Sequence, residues 1–284
     1  MHGIAHSYVE LVERIVSALG SRRVSDVHLP PEVEQRSKDA EFCALELDDG
    51  SIGLSYVWLG ETFPMLRESP HIRNVIGEDA LVLARGYAGN DPVLRTLGFA
   101  AINALSQHLF ARAGFLPEGT TNSIGLLEPR AGDHIGMVGL FPPLVDPILA
   151  TGARLTVAEL RPELAREAGR LRVVLDIHEL EACNKVISTS TVLLNDTLDS
   201  VLAACSGAAC VAIIGPGAGC LPDPLFARGV DTIGGARILD RKRFAAALAR
   251  GDSWGSAAQK YCIRRDGYPG IEQLIERAAA DLRS

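Results

Sequence analysis

The chain has no CxxC pair, no basic run that could track a phosphate backbone and no apolar stretch near the length of a membrane span, and each gap removes a class of function. Its six cysteines, Cys43, Cys183, Cys205, Cys210, Cys220 and Cys262, lie far apart. Structural zinc wants Cys or His ligands in close pairs, and the nearest approach is Cys205-x4-Cys210. The histidines, His2, His6, His28, His71, His108, His134 and His178, are scattered. Zinc held by cysteines is therefore not expected, and the thiols read as reduced, small buried hydrophobes. Twenty-eight Lys and Arg stand against 35 Asp and Glu, a net charge of −7. Without a basic run to track a phosphate backbone, nucleic acid is not an expected partner. No stretch approaches roughly 18 apolar residues, so no membrane span is expected. The first residues, MHGIAHSYVELVERI, carry Glu10 and Glu13, so no secretory signal is expected there and the expected compartment is the cytoplasm. No HExxH, P-loop, Ser-His-Asp set or paired catalytic carboxylates can be argued, so no catalytic residue is named and enzyme or non-enzyme stays open.

What is present is the composition of an ordinary globular protein. At 284 residues, with 47% hydrophobic and 22% charged residues, the chain can bury real cores, and roughly 150 residues per domain suggests two. Residues 8–19 space Val9, Leu11, Val12, Ile15, Val16 and Leu19 along one helical face, and Gly20 ends it. Residues 41–56 alternate around an Asp-Asp-Gly turn and predict a β-hairpin. Pro64, Pro70 and several glycines break any period over residues 57–90, so only short pieces are placed there. Asp91 and Pro92 then open a helix over residues 93–110.

Residues 114–128 are rich in Gly, Pro, Thr, Asn and Ser and lose periodicity, which predicts the crossing between domains. Beyond it strands and helices alternate: strands at 135–140, 154–160, 173–175, 185–191, 210–215 and, last, 232–235, with helices at 144–150 and 195–205 and a helical turn at 177–182. Strands separated by helices predict a parallel, doubly wound sheet. The fold class is thus α/β, with a small α+β domain over residues 1–120 and a parallel-sheet domain over 121–284.

Three segments of the second half carry a resemblance: IGMVGLFPPL at 135–144, ISTSTVLLNDTL at 187–198 and IIGPGAG at 213–219. Their order and spacing resemble the heavy-metal chelation family, proteins of unknown function that pair a Rossmann-like domain with an N-terminal domain similar to the enolase N-terminal fold. GLSY at 53–56 and LGFAAINA at 97–104 extend the resemblance into the first half. Two positions depart from the pattern: Ser190 stands where the resemblance implies glycine, and Gly217 where it implies a small hydroxyl residue. The resemblance implies a metal, or a small metal-chelating metabolite, bound between the two domains.

In open α/β sheets ligands sit outside the carboxyl ends of the strands. The loop after the first strand offers Gly139, Phe141 and Pro142, but only Gly136 and Gly139 of a G-x-G-x-x-G pattern. Glu159, about 20 residues on, is placed to accept from ribose hydroxyls or, alternatively, is a solvated carboxylate beside Arg161. Thr189, Ser190, Thr191 and Asn195 crowd polar groups at the same strand end, although Asn195, Asp196 and Thr197 also suit a helix cap. Gly215, Pro216 and Gly217 give a third, backbone-lined loop, with Cys220 the one thiol expected to face a ligand. The expected ligand site is therefore Gly139, Phe141, Pro142, Glu159, Thr189, Ser190, Asn195, Gly215, Pro216 and Gly217, roofed by the N-terminal domain. The expected partner is a small molecule or metal chelate. The alternatives are an enzyme using a nucleotide-type cofactor in the same crevice, and a scaffold. Cofactor, metal ligands and homo-oligomeric state are left open.

Overall fold

The apolar stripe near the N-terminus forms helix α1 (Ile4–Leu19), which buries Tyr8, Leu11, Val12, Ile15 and Leu19 and stops at Gly20 in a left-handed conformation, φ +84°. The computed structural model describes residues 3–33, 36–120, 124 and 126–281. Strand β1 (Val24–His28) follows, then the expected hairpin of β2 (Phe42–Leu47) and β3 (Ile52–Tyr56). The three pair antiparallel in the order β1-β2-β3. β1 has no alternating pattern of its own, and its pairing to β2 is what makes it a strand.

The weakly patterned stretch holds three short helices, α2 (Thr62–Glu68), α3 (Pro70–Asn74) and α4 (Ala80–Arg85), the last capped by Asp79. Helix α5 (Pro92–Arg112) starts where Asp91 accepts from the Val93 and Leu94 amides at 2.8 and 3.0 Å. Every residue from Thr96 to Phe110 is buried, so α5 is enclosed on all sides rather than amphipathic. Gly53 permits this on one side. A Cβ there would stand 2.0 Å from the Ala100 carbonyl oxygen and 2.2 Å from the Ala104 nitrogen, so only glycine lets β3 lie against the helix backbone.

The second half runs β4 (His134–Val138), α6 (Pro142–Ala150), β5 (Arg154–Ala158), β6 (Arg166–Ala168), β7 (Leu171–Val174), β8 (Lys185–Thr189), α7 (Leu198–Ala204), β9 (Cys210–Ile214), α8 (Asp223–Phe226), β10 (Thr232–Ile238), α9 (Arg241–Ala249), β11 (Ala258–Arg264) and α10 (Ile271–Asp281). One sheet takes the order β11-β10-β9-β8-β4-β5-β7-β6. Its six inner strands are parallel and its edges, β6 and β11, antiparallel. The fold is α/β, a small antiparallel sheet region followed by a large, mostly parallel sheet.

Several boundaries differ from expectation. Residues 232–235 begin a longer strand that is not the last, because β11 pairs along all of it. The strand expected over 185–191 ends at Thr189, where the chain turns into a 3₁₀ segment over Ser190–Leu193. The helix expected from Asn195 starts only at Leu198. Asp196 sits at φ +60°, outside helical space, and Asn195 Oδ1 accepts from the Thr197 amide and hydroxyl, a local Asx turn that competes with an earlier helix start.

Of the expected crossing at 114–128, residues 121–123 and 125 lie outside the described residues. Just before them Gly119 bridges Tyr261, and the Thr120 amide donates to Lys260 O at 2.9 Å, extending β11 outward. The largest apolar cluster joins Tyr8, Leu45, Tyr87 and Phe99 of the first half to Val186, Ile213, Cys220, Ile233 and Tyr261 of the second. On the sheet's other face Ile135, Met137, Leu155 and Val157 pack with Leu144 and Ile148 of α6. The small sheet, through Phe42, Ile52 and Leu54, packs on Phe244, Leu248 and Trp254. Among the described residues no helix is long and apolar enough to cross a membrane.

Candidate ligand cleft

Successive parallel strands step away from β4 in one direction through β5 and β7, and in the other through β8, β9 and β10. The order reverses between β4 and β8, so the loops after these two strands diverge. Gly139 ends the first at φ +77°, donates to Ala158 O at 2.9 Å, and leaves the Thr189 methyl 3.3 Å from where a Cβ would stand. The Phe141 ring is half-buried against the core beneath α6, and its amide faces Met137 Sδ at 3.5 Å. Pro142 is exposed at the first turn of α6.

Glu159 braces these loops. Its side chain is 10% exposed; Oε2 accepts from the Leu140 amide at 3.0 Å, Oε1 from the Leu160 amide at 3.0 Å, and Arg161 stands at 3.4 Å. Burial by itself would raise the Glu159 pKa, but the Arg161 hydrogen bond and the two amides outweigh it and hold the carboxyl below its ordinary value. The ionised group is engaged by donors of its own chain. Across from it β3 ends at Tyr56, whose phenol is pushed up to about 12, first by burial and then by the charge of Glu41, with Arg161 and Glu159 close enough to contribute.

Ser190, 3% exposed, packs into the loop after β9. Its Oγ lies 2.5 Å from where a Cβ on Gly215 would stand and 3.2 Å from one on Gly217. The hydroxyl of Ser190 thus fills space that a side chain at 215 or 217 would need. Helix α5 holds the same loop from above. Asn103 Nδ2 donates to Leu54 O at 2.6 Å and to Gly217 O at 3.0 Å, and Gln107 Nε2 donates to Gly219 O at 2.8 Å. Pro216 and Gly215 are half-buried and Gly217 is buried.

Cys220 does not face a ligand. It is 0% exposed, its Sγ donates to the Tyr8 hydroxyl at 3.1 Å, and burial pushes its thiol up to about 12. The chain after Gly219 dives beneath α1 and α5, a route no local pattern encodes.

A cleft of about 230 Å³ opens between the halves. Leu194, Asn195 and Asp196 of the loop after β8 form one wall; Leu59, Thr62, Asn90, Pro92, Arg95 and Thr96 form the other. Arg95 and Asp196 pair across it. Of the ten expected site residues, Asn195 lines this cleft. Ser190, Gly215 and Gly217 form one contact group beneath α5, Gly139 touches Thr189, and Glu159, Phe141 and Pro142 belong to the loops after β4 and β5. Arg95, Thr62 and Asn90 carried no signal beyond a helix and its approaches, because their partner wall lies about a hundred residues away in sequence.

The metal that the resemblance implies can be tested against the donors present. Burial raises the thiols of Cys43, Cys205 and Cys220 to about 12 and those of Cys183 and Cys262 to about 11, whereas soft metals bind thiolate. Among the described residues no three His, Cys, Asp or Glu side chains converge as a ligand group. These residues do not fit a heavy-metal ion held by side chains of this chain alone.

The fold is that of an α/β protein with a small antiparallel sheet region and a large, mostly parallel sheet. Residues 122–265 and 34–106 match two family models, both described as "Putative heavy-metal chelation", and the chain belongs to this family. An uncharacterized protein of Methanocaldococcus jannaschii is 33% identical over 151 residues, 53% of this chain and 57% of that protein, so the chain spans little more than half of this relative. A solved family member of unknown function from Desulfitobacterium hafniense superposes with a TM-score of 0.68 at 22% identity, covering 92% of this chain and 99% of its own. Another, from Pyrococcus horikoshii, gives 0.63 at 21% identity, covering 92% and 98%. At these identities the two structures speak for the fold alone.

Proposed function

We propose that this protein binds a small metal-chelating metabolite, rather than a bare metal ion, in a cleft between an enolase-N-terminal-like unit of residues 1–120 and a Rossmann-like unit of residues 121–284. The observation that carries the reading is a cleft with one wall from each half, opening on the loop after β8 where the sheet order reverses. Counting from β4, the parallel strands run third, second, first, fourth, fifth, sixth, the order of dinucleotide-binding sheets, whose ligands sit at that reversal. The family description supports a metal-related ligand. The scattered, protonated thiols favour a metal that arrives already chelated, with the protein recognising the organic shell.

The test is native mass spectrometry with elemental analysis on the protein as purified, followed by thermal-shift screening of chelated metals, pterins and nucleotides. The expected binder loses affinity when Asn90→Trp narrows the cleft mouth, and in Asn195→Ala, without loss of fold. A bare ion bound stoichiometrically and unaffected by both variants would refute the proposal. A nucleotide found as the sole binder would move the assignment to an enzyme with a nucleotide-type cofactor.

A further inference from the structure

The charged residues lining the cleft are Arg95 and Asp196, and their pairing has an unequal character. Arg95 is the fixed partner. Its side chain is 16% exposed, its guanidinium lies 5.6 Å from the ring centroid of fully buried Tyr87, and Tyr87 is itself tied by its hydroxyl to Leu193 O. Asp196 is the loose one: it is 73% exposed, stands on the turn before α7, and holds a left-handed backbone at φ +60°. Nη1 and Nη2 of Arg95 both point at this one carboxylate, Nη1 at 3.0 Å from Oδ2, while Nε is buried and makes no hydrogen bond among the described residues.

A guanidinium offers five donors in a rigid fork that matches a carboxylate or phosphate. Here that fork is anchored, lies in a cleft, and is satisfied by an exposed carboxylate that regains full hydration whenever it lets go. The remaining cleft groups that carry hydrogen-bonding side chains, Thr62, Asn90, Thr96 and Asn195, are uncharged. Once Asp196 leaves, the cleft is positive.

We propose that Arg95 is the oxyanion receptor of this cleft and that Asp196 is an internal stand-in which a carboxylate- or phosphate-bearing ligand displaces. The inference rests on the cleft being the ligand site and adds the charge class of what enters. Both anions are planar or tetrahedral oxygen arrays that accept from two adjacent guanidinium N–H groups, so either can take the place of the Asp196 carboxylate. With its carboxylate exposed to solvent the pair is worth at most about 1 kcal/mol, so the stand-in lowers ligand affinity by up to about fivefold, the tax of a site partly occupied by its own chain.

The experiment titrates the intact protein with inorganic phosphate and, separately, with malonate at constant ionic strength, following heat. Asp196→Asn keeps a residue type that tolerates φ +60° and removes the charge; it is expected to tighten binding of at least one anion, by up to about fivefold. Arg95→Lys keeps the charge and loses the fork; it is expected to weaken the same anion at least tenfold. Should Arg95→Lys fail to fold, Asp196→Asn and Asn90→Trp decide together, since an anion that tightens in the first and is excluded by the second is held in this cleft and not by the general loss of a negative charge. Unchanged or weaker binding in Asp196→Asn overturns the proposal. A neutral ligand that co-purifies, is lost in Asn90→Trp and binds Asp196→Asn unchanged overturns the oxyanion receptor while leaving the cleft reading intact. Anions that bind Asn90→Trp and wild type equally refute Arg95 as the receptor in this cleft.

Discussion

Replacing Asn103 by leucine tests whether α5 holds the strand-end loops by hydrogen bonds or by packing alone. Asn103 is 0% exposed and shares its branching with leucine, whose bulkier methyl would also crowd the two carbonyls that the amide nitrogen now approaches at 2.6 and 3.0 Å. Its amide nitrogen serves two carbonyls, Leu54 O in the small sheet and Gly217 O after β9, and so ties the two halves together. In the leucine variant both carbonyls are buried without that donor, at about 1–3 kcal/mol each. Against this, Asn103 Oδ1 is already buried without a partner among the described residues, and its removal recovers a similar single amount. The polar terms alone leave a loss of about 1–3 kcal/mol and crowding adds to it, so the net expectation is a loss of at least that size, read as a shift of the urea midpoint at constant slope. Asn103→Asp is expected to be worse by several kcal/mol more, because a carboxylate cannot donate and would be buried facing two carbonyl oxygens. A leucine variant as stable as wild type, or an aspartate variant equal to leucine, refutes the hydrogen-bonded clamp.

Three further outcomes follow from the same structure. In native protein a thiol reagent is expected to leave buried Cys43, Cys183, Cys205 and Cys220 unreacted until denaturant is added, and fast labelling of Cys220 would contradict its contact with Tyr8. Burial would raise the Asp49 pKa, but hydrogen bonds from His108 and Ser51 lower it to about 2, so its contribution to stability is complete above the unfolded value of 3.8 and is lost as pH falls toward about 2. Acid titration of Asp49→Asn should therefore show a shallower loss over that window, and an identical acid limb would refute the assignment. Because one apolar cluster spans both halves, residues 121–284 expressed alone should expose Val186, Ile213 and Ile233 and bind a hydrophobic dye, while the intact chain unfolds in one transition; a well-packed fragment of unchanged stability would show the halves to be energetically separate.

Local pattern determined a large share of this protein. The stripe of α1, the hairpin about Gly50, the Asp91-Pro92 start of α5 and the alternation from β4 onward each rest on contacts within a few residues, so spacing alone exposes them. Edge strands are different. β1 and β6 lack a one-sided apolar alternation strong enough to read, and each takes its hydrogen bonds from a neighbouring strand. β11 does alternate, burying Tyr261 and Ile263 between exposed Lys260 and Arg264, and it pairs with β10 along its whole length.

The site divides the same way. Topology placed Gly139, Thr189 and Asn195 at the carboxyl ends of β4 and β8 from the order of elements alone, since parallel strands must align their ends. Tertiary structure alone decided that Glu159 also spends an oxygen on the Leu140 amide, that Ser190 fills the space beside Gly215 and Gly217, and that Cys220 lies against Tyr8, a residue 212 positions away. It also brought Arg95 to Asp196 across 101 positions. A side chain's partner at such a distance is set by how two independently patterned surfaces pack, and no repeat in the sequence records that packing.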